Sequence, residues 1–192
     1  MTEFLRHRLE QTPTRVRLAE QDGFRLRIAA TRCEDTTLET EGATWEMDDS
    51  GLLTLKREAG CRIGSAMLAF GRGSGAELSS VEATGRNLKV ALQDIAIGGL
   101  FVNRAITESL KTAKLSLESC TVGKLEAHLK GGSMHVQGTE IYDPQSMAIL
   151  HDGCAFRTQE TSPNQNLRVQ WLPDCDASCE AFALAPQPLV AS

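Results

Sequence analysis

Short apolar runs that alternate with polar residues recur through the middle of the chain, and none has the spacing of a helical face. The clearest runs lie between residues 66 and 138, at 67–70, 88–97, 115–122 and 125–136. Because successive side chains of a strand point to opposite faces, this alternation predicts short, half-buried β-strands. The sequence therefore predicts an all-β protein.

The same alternation begins nearer the N-terminus. Phe24, Leu26 and Ile28 alternate with arginine and alanine, which gives an extended strand one apolar and one polar face. Further strand candidates follow at 37–40, 44–47 and 52–56. The Asp-Asp-Ser-Gly stretch at 48–51 has the residues that a tight reversal between two strands requires.

The apolar runs can be aligned by their anchor residues as a degenerate repeat. Each unit is a short strand, a polar or glycine break and a second short strand, with anchors at Leu92, Ile95 and Ile97, at Leu117, Cys120 and Val122, and at Leu129, Met134 and Val136. A unit of this kind cannot bury its own inward side chains and must stack on the units before and after it. The pattern predicts a β-solenoid domain over 24–142, with a β-sandwich as the alternative.

Three other segments flank this domain. Residues 1–23 are predicted to be an N-terminal arm, with one or two helical turns around Phe4, Leu5 and Leu9, that is either disordered or docked onto the domain. Residues 105–111 are a candidate helical turn or a loop between units. Residues 143–184 are predicted to be a C-terminal cap, and 185–192 a flexible tail, because two prolines exclude a regular helix or central strand there.

Length and charge narrow the function classes. The 192 residues suit one domain with a substantial core, and 20 basic against 25 acidic residues leave five net negative charges. Such a balance does not attract a phosphate backbone, so nucleic acid is not an expected partner. The first residues lack the apolar core of a secretory signal, and no run is long enough to span a bilayer, so we expect a soluble cytoplasmic protein.

The six cysteines are expected to be reduced in that compartment. Cys33, Cys61 and Cys120 lie in strand-like settings, where cysteine serves as a small buried apolar residue.

One cluster has the character of a metal site. His151 and Cys154 form an HxxC pair, and Cys175 and Cys179 form a CxxxC pair, so the four residues could hold a structural zinc ion in tetrahedral coordination. A Cys175–Cys179 disulfide and unliganded thiols explain the same residues. No other cofactor is expected, since the glycine-rich stretch at 71–75 lacks the spacing of a phosphate-binding loop and is predicted to be a turn.

No constellation specifies a reaction, so we expect no enzyme activity. Carboxylates and a lysine that could act on polysaccharides are present, but each is equally a solvated outward residue: Glu118, Lys124, Glu126, Glu140 and Asp143. His128 and His135 lie in alternating strands and are expected to face outward.

The chain resembles the GIN domain family of auto-transporter adhesin heads and related adhesin-like β-helix proteins. The resemblance rests on Gly-Leu-Leu-Thr-Leu at 51–55, the glycine-rich stretch continued to Leu78, and the Leu-Lys-Val-Ala-Leu and Lys-Leu-Ser-Leu units at 88–92 and 114–117. It implies a single-stranded right-handed β-helix over about 24–142 and brings no catalytic residues.

Open sheet edges and the proline-containing tail together predict a function in association. We expect a non-enzymatic structural or scaffold protein whose solenoid surface binds protein partners, either further copies of itself or the other subunits of a larger assembly. The alternative is a carbohydrate-binding or polysaccharide-active β-helix.

Overall fold

The computed structural model describes residues 4–72, 76–103, 112–151, 153–159 and 166–172, and this part of the chain contains 17 strands and no helix. The all-β prediction is confirmed. The first sheet contains, in spatial order, β1 (Phe4–Arg8), β4 (Thr37–Glu41), β7 (Gly64–Phe70), β3 (Phe24–Ala30), β9 (Leu88–Gln93), β11 (Ala113–Glu118), β13 (Ser133–Gln137) and β16 (Ala155–Gln159). The second contains β17 (Leu167–Trp171), β15 (Ser146–His151), β12 (Thr121–Lys130), β10 (Ala96–Val102), β8 (Glu77–Arg86), β2 (Arg15–Asp22), β6 (Leu52–Arg57) and β5 (Ala43–Met47), with β14 (Glu140–Ile141) beside β12.

The two sheets enclose one continuous apolar core. In β3, for example, Phe24, Leu26 and Ile28 are buried while Arg25 and Arg27 are exposed, as the alternation predicted. Inward side chains therefore meet the opposite sheet as well as their neighbours in the same sheet. In its layering the fold resembles the sandwich named as the alternative, rather than a clear single-stranded β-helix.

The strands of each sheet are mostly parallel, which a sandwich of hairpins would not give. From β8 to β13 successive strands alternate between the two sheets, so each pairs with the strand two positions along the chain. The predicted alignment of the first two units is confirmed, because Leu92 pairs with Leu117 and Ile97 with Val122. The third unit was aligned wrongly. Its first anchor, Leu129, was matched with Leu117, but the structure pairs Leu117 with Val136.

A single left-handed residue follows each of β9, β11 and β13, where the chain crosses from the first sheet to the second. Asp94, Ser119 and Gly138 have φ of 54°, 52° and 53°, a conformation that glycine adopts freely and other residues only at a cost. The Asp94 amide donates to the carbonyl of Glu118 at 3.0 Å, and the Ser119 amide to that of Gln137 at 2.9 Å. These crossings are therefore stacked and hydrogen-bonded to one another.

Most of the described residues between 4 and 22 belong to the sheets. Residues 4–8 and 15–22 form β1 and β2, so the predicted helical turns are wrong. Val16 and Leu18 are buried, Arg17 between them is exposed, and β2 lies between β6 and β8. The alternation of period two decides the conformation here.

Several predicted features lie outside the described residues. They are the helical turn at 105–111, the tail at 185–192 and most of the glycine-rich stretch at 71–75. The sheets continue past residue 142 as far as Trp171, through β15, β16 and β17. In the described ranges no helix is long and apolar enough to cross a membrane.

Candidate protein-interaction site

Each sheet finishes in strands that have a paired neighbour on one side only, within the part of the chain that the structure describes. β1 and β5 are these strands at one end of the molecule, and β16 and β17 at the other. An edge strand leaves a row of backbone N–H and C=O groups free to pair with another chain. The molecule therefore has two ends at which a further strand could be added to each sheet.

The N-terminal end face is the set of inward-pointing side chains on β1 and β5, namely Leu5, His7, Ala43, Trp45 and Met47. The rings of His7 and Trp45 meet edge to face with centroids 5.3 Å apart, which joins the two sheets at this end. Leu5 nevertheless remains 45% exposed, and Phe4, on the outer side of β1, is 62% exposed. Apolar surface of this kind on an edge strand is characteristic of contact sites.

The C-terminal end face is the equivalent set on β16 and β17, namely Phe156, Thr158, Leu167, Val169 and Trp171. The four apolar residues pack against the core but are only partly buried. Their counterparts one strand further in, such as Met134, Ala148 and Leu150, are fully buried. The core is thus covered less completely at this end than in the middle of the sheets.

Charged side chains border both end faces. On β1, Arg6 lies 3.5 Å from Glu39 and Arg8 lies 2.9 Å from Asp35, while on β5 Glu46 lies 3.5 Å from Lys56. On β17 the outward residue Arg168 is exposed. Exposed ion pairs contribute little to stability, so these groups can exchange partners at low cost.

An open cleft of about 570 Å³ lies beside the N-terminal end face, between the segments that follow β1 and precede β4. Its walls include Glu10, Glu34 and the Arg8–Asp35 pair. The lining of the cleft is mainly polar and charged.

The predicted zinc ligands are not brought together in the described part of the chain. His151 lies on the outer side of β15, next to Lys130 of β12, whereas Cys154 is fully buried and its Sγ accepts a hydrogen bond from the Gly132 amide at 3.5 Å. Cys175 and Cys179 lie outside the described residues. Within those residues no group of three or more His, Cys, Asp or Glu could hold a metal ion. The zinc site stays a prediction.

The predicted polysaccharide-cleaving candidates on the second sheet lie at its surface, and several have protein partners. Lys124 pairs with Glu126 at 2.9 Å, and the Tyr142 hydroxyl donates to Glu140 at 2.6 Å, an interaction that raises the pKa of Tyr142. Asp143 accepts a hydrogen bond from the Gln145 amide at 2.8 Å. Glu118, at the end of β11 in the first sheet, is exposed and belongs to no such cluster.

His128 and His135 were predicted to face outward, and their positions in the strands confirm this. The ring of His128 is nevertheless partly covered, and burial, followed by the charge of His151, lowers its pKa.

Cys33, Cys61 and Cys120 were predicted to be buried core residues, and the structure buries them to different extents. Cys120 is buried and fills the core beside the crossing at Ser119, as predicted. Cys33 is exposed, so its prediction as core filler is wrong; it lies in the turn between β3 and β4 rather than in a strand. Cys61 is half-buried in the segment between β6 and β7.

No protein-family model matches the chain, and no curated protein matches it. Three solved bacterial structures, provisionally described as a cell adhesion protein or adhesins, are similar in outline. The protein from Clostridium sporogenes has a TM-score of 0.36 and 9% identity, over 89% of this chain and 95% of its own. Those from Bacteroides fragilis and Parabacteroides distasonis have TM-scores of 0.39 and 0.36, identities of 9% and 12%, and cover 90% of this chain and 94% and 93% of theirs. Values this low carry no argument about family or function.

Proposed function

We propose that the protein is a non-enzymatic association module that binds other protein chains at its two end faces. The observation that carries this proposal is the exposure of Phe4 and Leu5, 62% and 45%, on an edge strand with one free side. Strand addition to such an edge supplies main-chain hydrogen bonds, while half-exposed side chains supply contact area.

The surface chemistry supports a binding role over a catalytic one. Lys124 and Glu126 form a salt bridge, and Glu140 accepts from Tyr142, so these candidates are engaged with one another at the surface. The polar cleft beside β1 has its one arginine paired with Asp35. A two-sheet body whose described edge strands are paired on one side only suits a scaffold better than a reaction centre.

The winding of the chain supports the same role. We infer that the stack from β8 onward is a solenoid, because successive strands alternate between the sheets from β8 to β13 and every neighbour pair from β8 to β17 is parallel. A solenoid buries its core by stacking, and here β2 and β3 continue the two sheets from β8 and β9 towards β5 and β1, so the inner rows run to the edge strands at both ends. Association at the ends follows from that construction.

Site-specific photo-crosslinking in the source cells tests the proposal. A photoreactive residue at position 4, on the N-terminal edge, is compared with one at the exposed position 89 in the middle of the first sheet. We expect a discrete protein adduct from position 4 and none from position 89. Equal labelling at the two positions, or no adduct from position 4 and none from position 170 on β17, would refute an end-face function.

A second candidate is carbohydrate binding, which one observation favours. Tyr142 is 57% exposed beside Glu140 and near the Lys124–Glu126 pair. Sugars bind where an exposed ring offers a stacking face and neighbouring polar groups accept their hydroxyl protons. A glycan array probed with the wild type and with Tyr142→Ala separates the candidates, because binding that is lost in the variant supports carbohydrate and an array without signal excludes it.

A further inference from the structure

We propose that the partner at each end face is a second copy of this chain, added head to tail so that both sheets continue from one copy into the next. The proposal rests on the association function above and names its partner. Three features of the edge strands support it. Their residues lie in the same rows, where a row is a line of paired residues that crosses the sheet from strand to strand. Their directions are compatible, and the side chains that would face each other are complementary.

In the first sheet the two edge strands span the same five rows. Following the paired residues across all eight strands leads from Leu5 through Leu26 and Leu115 to Phe156. The same path connects each remaining residue of Phe4–Arg8 with its counterpart in Ala155–Gln159. A copy placed beyond β16 therefore presents its β1 to the same rows, with inward residues facing inward.

The strand directions at the two ends also agree. β1 is antiparallel to β4, which is antiparallel to β7, so β1 runs in the same direction as β16. β16 and the β1 of the next copy would form one more parallel pair of a sheet that is already mostly parallel. No reversal of the chain is needed.

In the second sheet the rows continue in the same way. One row leads from Trp45 through Leu18 and Ala127 to Val169, and its neighbour leads from Glu46 to Arg168. β5 is antiparallel to β6 and hence to β17, so the joint here is an antiparallel pair.

The side chains that this register places opposite each other are complementary. Arg168 of one copy faces Glu46 of the next, two exposed residues of opposite charge. On the inner side Trp171 faces the small Ala43, and Val169 faces Trp45. The bulky rings of the two end faces therefore alternate instead of colliding.

One contact between like charges would weaken the joint between copies. In the first sheet Arg157 would lie opposite Arg6, although Arg6 already has Glu39 at 3.5 Å. The alternative is a twofold pairing of two β1 strands centred on Arg6, which sets Arg6 against Arg6 and lacks the Arg168–Glu46 contact of opposite charges. The head-to-tail joint engages both sheets and leaves a free end on each side, so it extends to open chains of copies.

The proposal is tested by exchanging the charges of Arg168 and Glu46. The association of the full chain is measured by sedimentation velocity over a wide concentration range. Arg168→Glu alone and Glu46→Arg alone should each weaken association about tenfold, since a favourable cross-strand pair becomes a repulsive one. The double variant should recover most of the loss. Lys89→Glu, a comparable charge reversal in the middle of the first sheet, is the matched control and should associate like the wild type. Thermal melting of each variant at low concentration checks that the fold is intact.

The position of the contact is tested separately with a photoreactive residue at position 170, in an equal mixture of ¹⁴N- and ¹⁵N-labelled chains. Mixed-isotope adducts between position 170 and residues 43–47 support the joint. Two results would overturn the joint. Adducts confined to one isotope would mean that each chain covers its own end, and adducts that join position 170 to position 170 would mean that two C-terminal ends meet. A chain that stays monomeric while position 4 crosslinks to a different protein in cells overturns this inference and leaves the association function standing.

Discussion

Gly132 is the position where the close stacking of neighbouring strands can be tested most directly. Its backbone does not have a positive φ, so conformational strain is not the reason for glycine here. A Cβ at this position would overlap the carbonyl oxygen of Ala113 in the adjacent strand β11. The Gly132 carbonyl also accepts from the Ala155 amide at 3.0 Å, so β13 is held from both sides. The added methyl group can be accommodated only by shifting one strand from the other.

We therefore expect Gly132→Ala to lower the free energy of unfolding by about 3 kcal/mol, at the upper end of the usual cost of overpacking. For a chain of this size that corresponds to a fall in Tm of about 6–12 °C. The assay is urea denaturation followed by circular dichroism, with calorimetry for the Tm. Both are run at a concentration where the wild type does not associate.

Gly60→Ala is the matched control. A Cβ at Gly60 meets no atom within 4 Å, but the φ of +87° is one that alanine adopts only with strain. We expect a cost of about 1–2 kcal/mol from the backbone alone. If Gly132→Ala were as stable as the wild type, or less damaging than Gly60→Ala, the close approach of β11 and β13 would be refuted.

Three further outcomes are expected. Ser146→Ala should lower the free energy of unfolding by about 1–3 kcal/mol, because the fully buried Ser146 hydroxyl accepts from the Leu125 amide at 3.0 Å and its loss leaves that donor unpaired. Ser146→Thr, which keeps the hydroxyl, is the control in the same denaturation assay. Stability should fall as the pH drops below 6.5 towards the lowered pKa of His128, since the unfolded chain then binds the proton more tightly, and His128→Gln should flatten this dependence in pH-resolved melting. Elemental analysis of protein purified without chelator, beside Cys154→Ser, tests the zinc site: one zinc per chain that the variant loses supports it, and a zinc-free wild type contradicts it.

Local patterns in the sequence predicted much of the secondary structure. The alternation around Phe24 and the Asp-Asp-Ser-Gly turn correctly predicted β3 and the reversal between β5 and β6. In that turn Asp48 Oδ1 accepts from the Ser50 hydroxyl at 2.6 Å and from the Leu52 and Ser50 amides at 2.9 Å each. These bonds, first of all the one from the hydroxyl, lower the pKa of Asp48. Features whose determinants lie within a few residues can be predicted in this way.

The crossings between the sheets could not be predicted at that level. Asp94 and Ser119 have the same left-handed conformation as Gly138, although aspartate adopts it only occasionally and serine rarely. What holds them there is the hydrogen bond from each crossing to the strand stacked next to it, about 20 residues away in the chain. For the same reason the third repeat unit was misaligned, because the length of chain between stacked strands varies while the register does not.

The candidate site is the part that the sequence predicted least. Phe4, Leu5, Trp45 and Trp171 are visible as apolar residues, but nothing in their neighbourhood distinguishes an edge strand from an inner one. That distinction arises only from the order of the strands, which places β1 and β5 at one end and β16 and β17 at the other. The same order makes Glu46 and Arg168, 122 residues apart in the sequence, the two ends of one row. A contact between copies therefore depends on the row register of the whole stack, so a substitution that shifts an inner strand, such as Gly132→Ala, should also weaken association at ends that it does not touch.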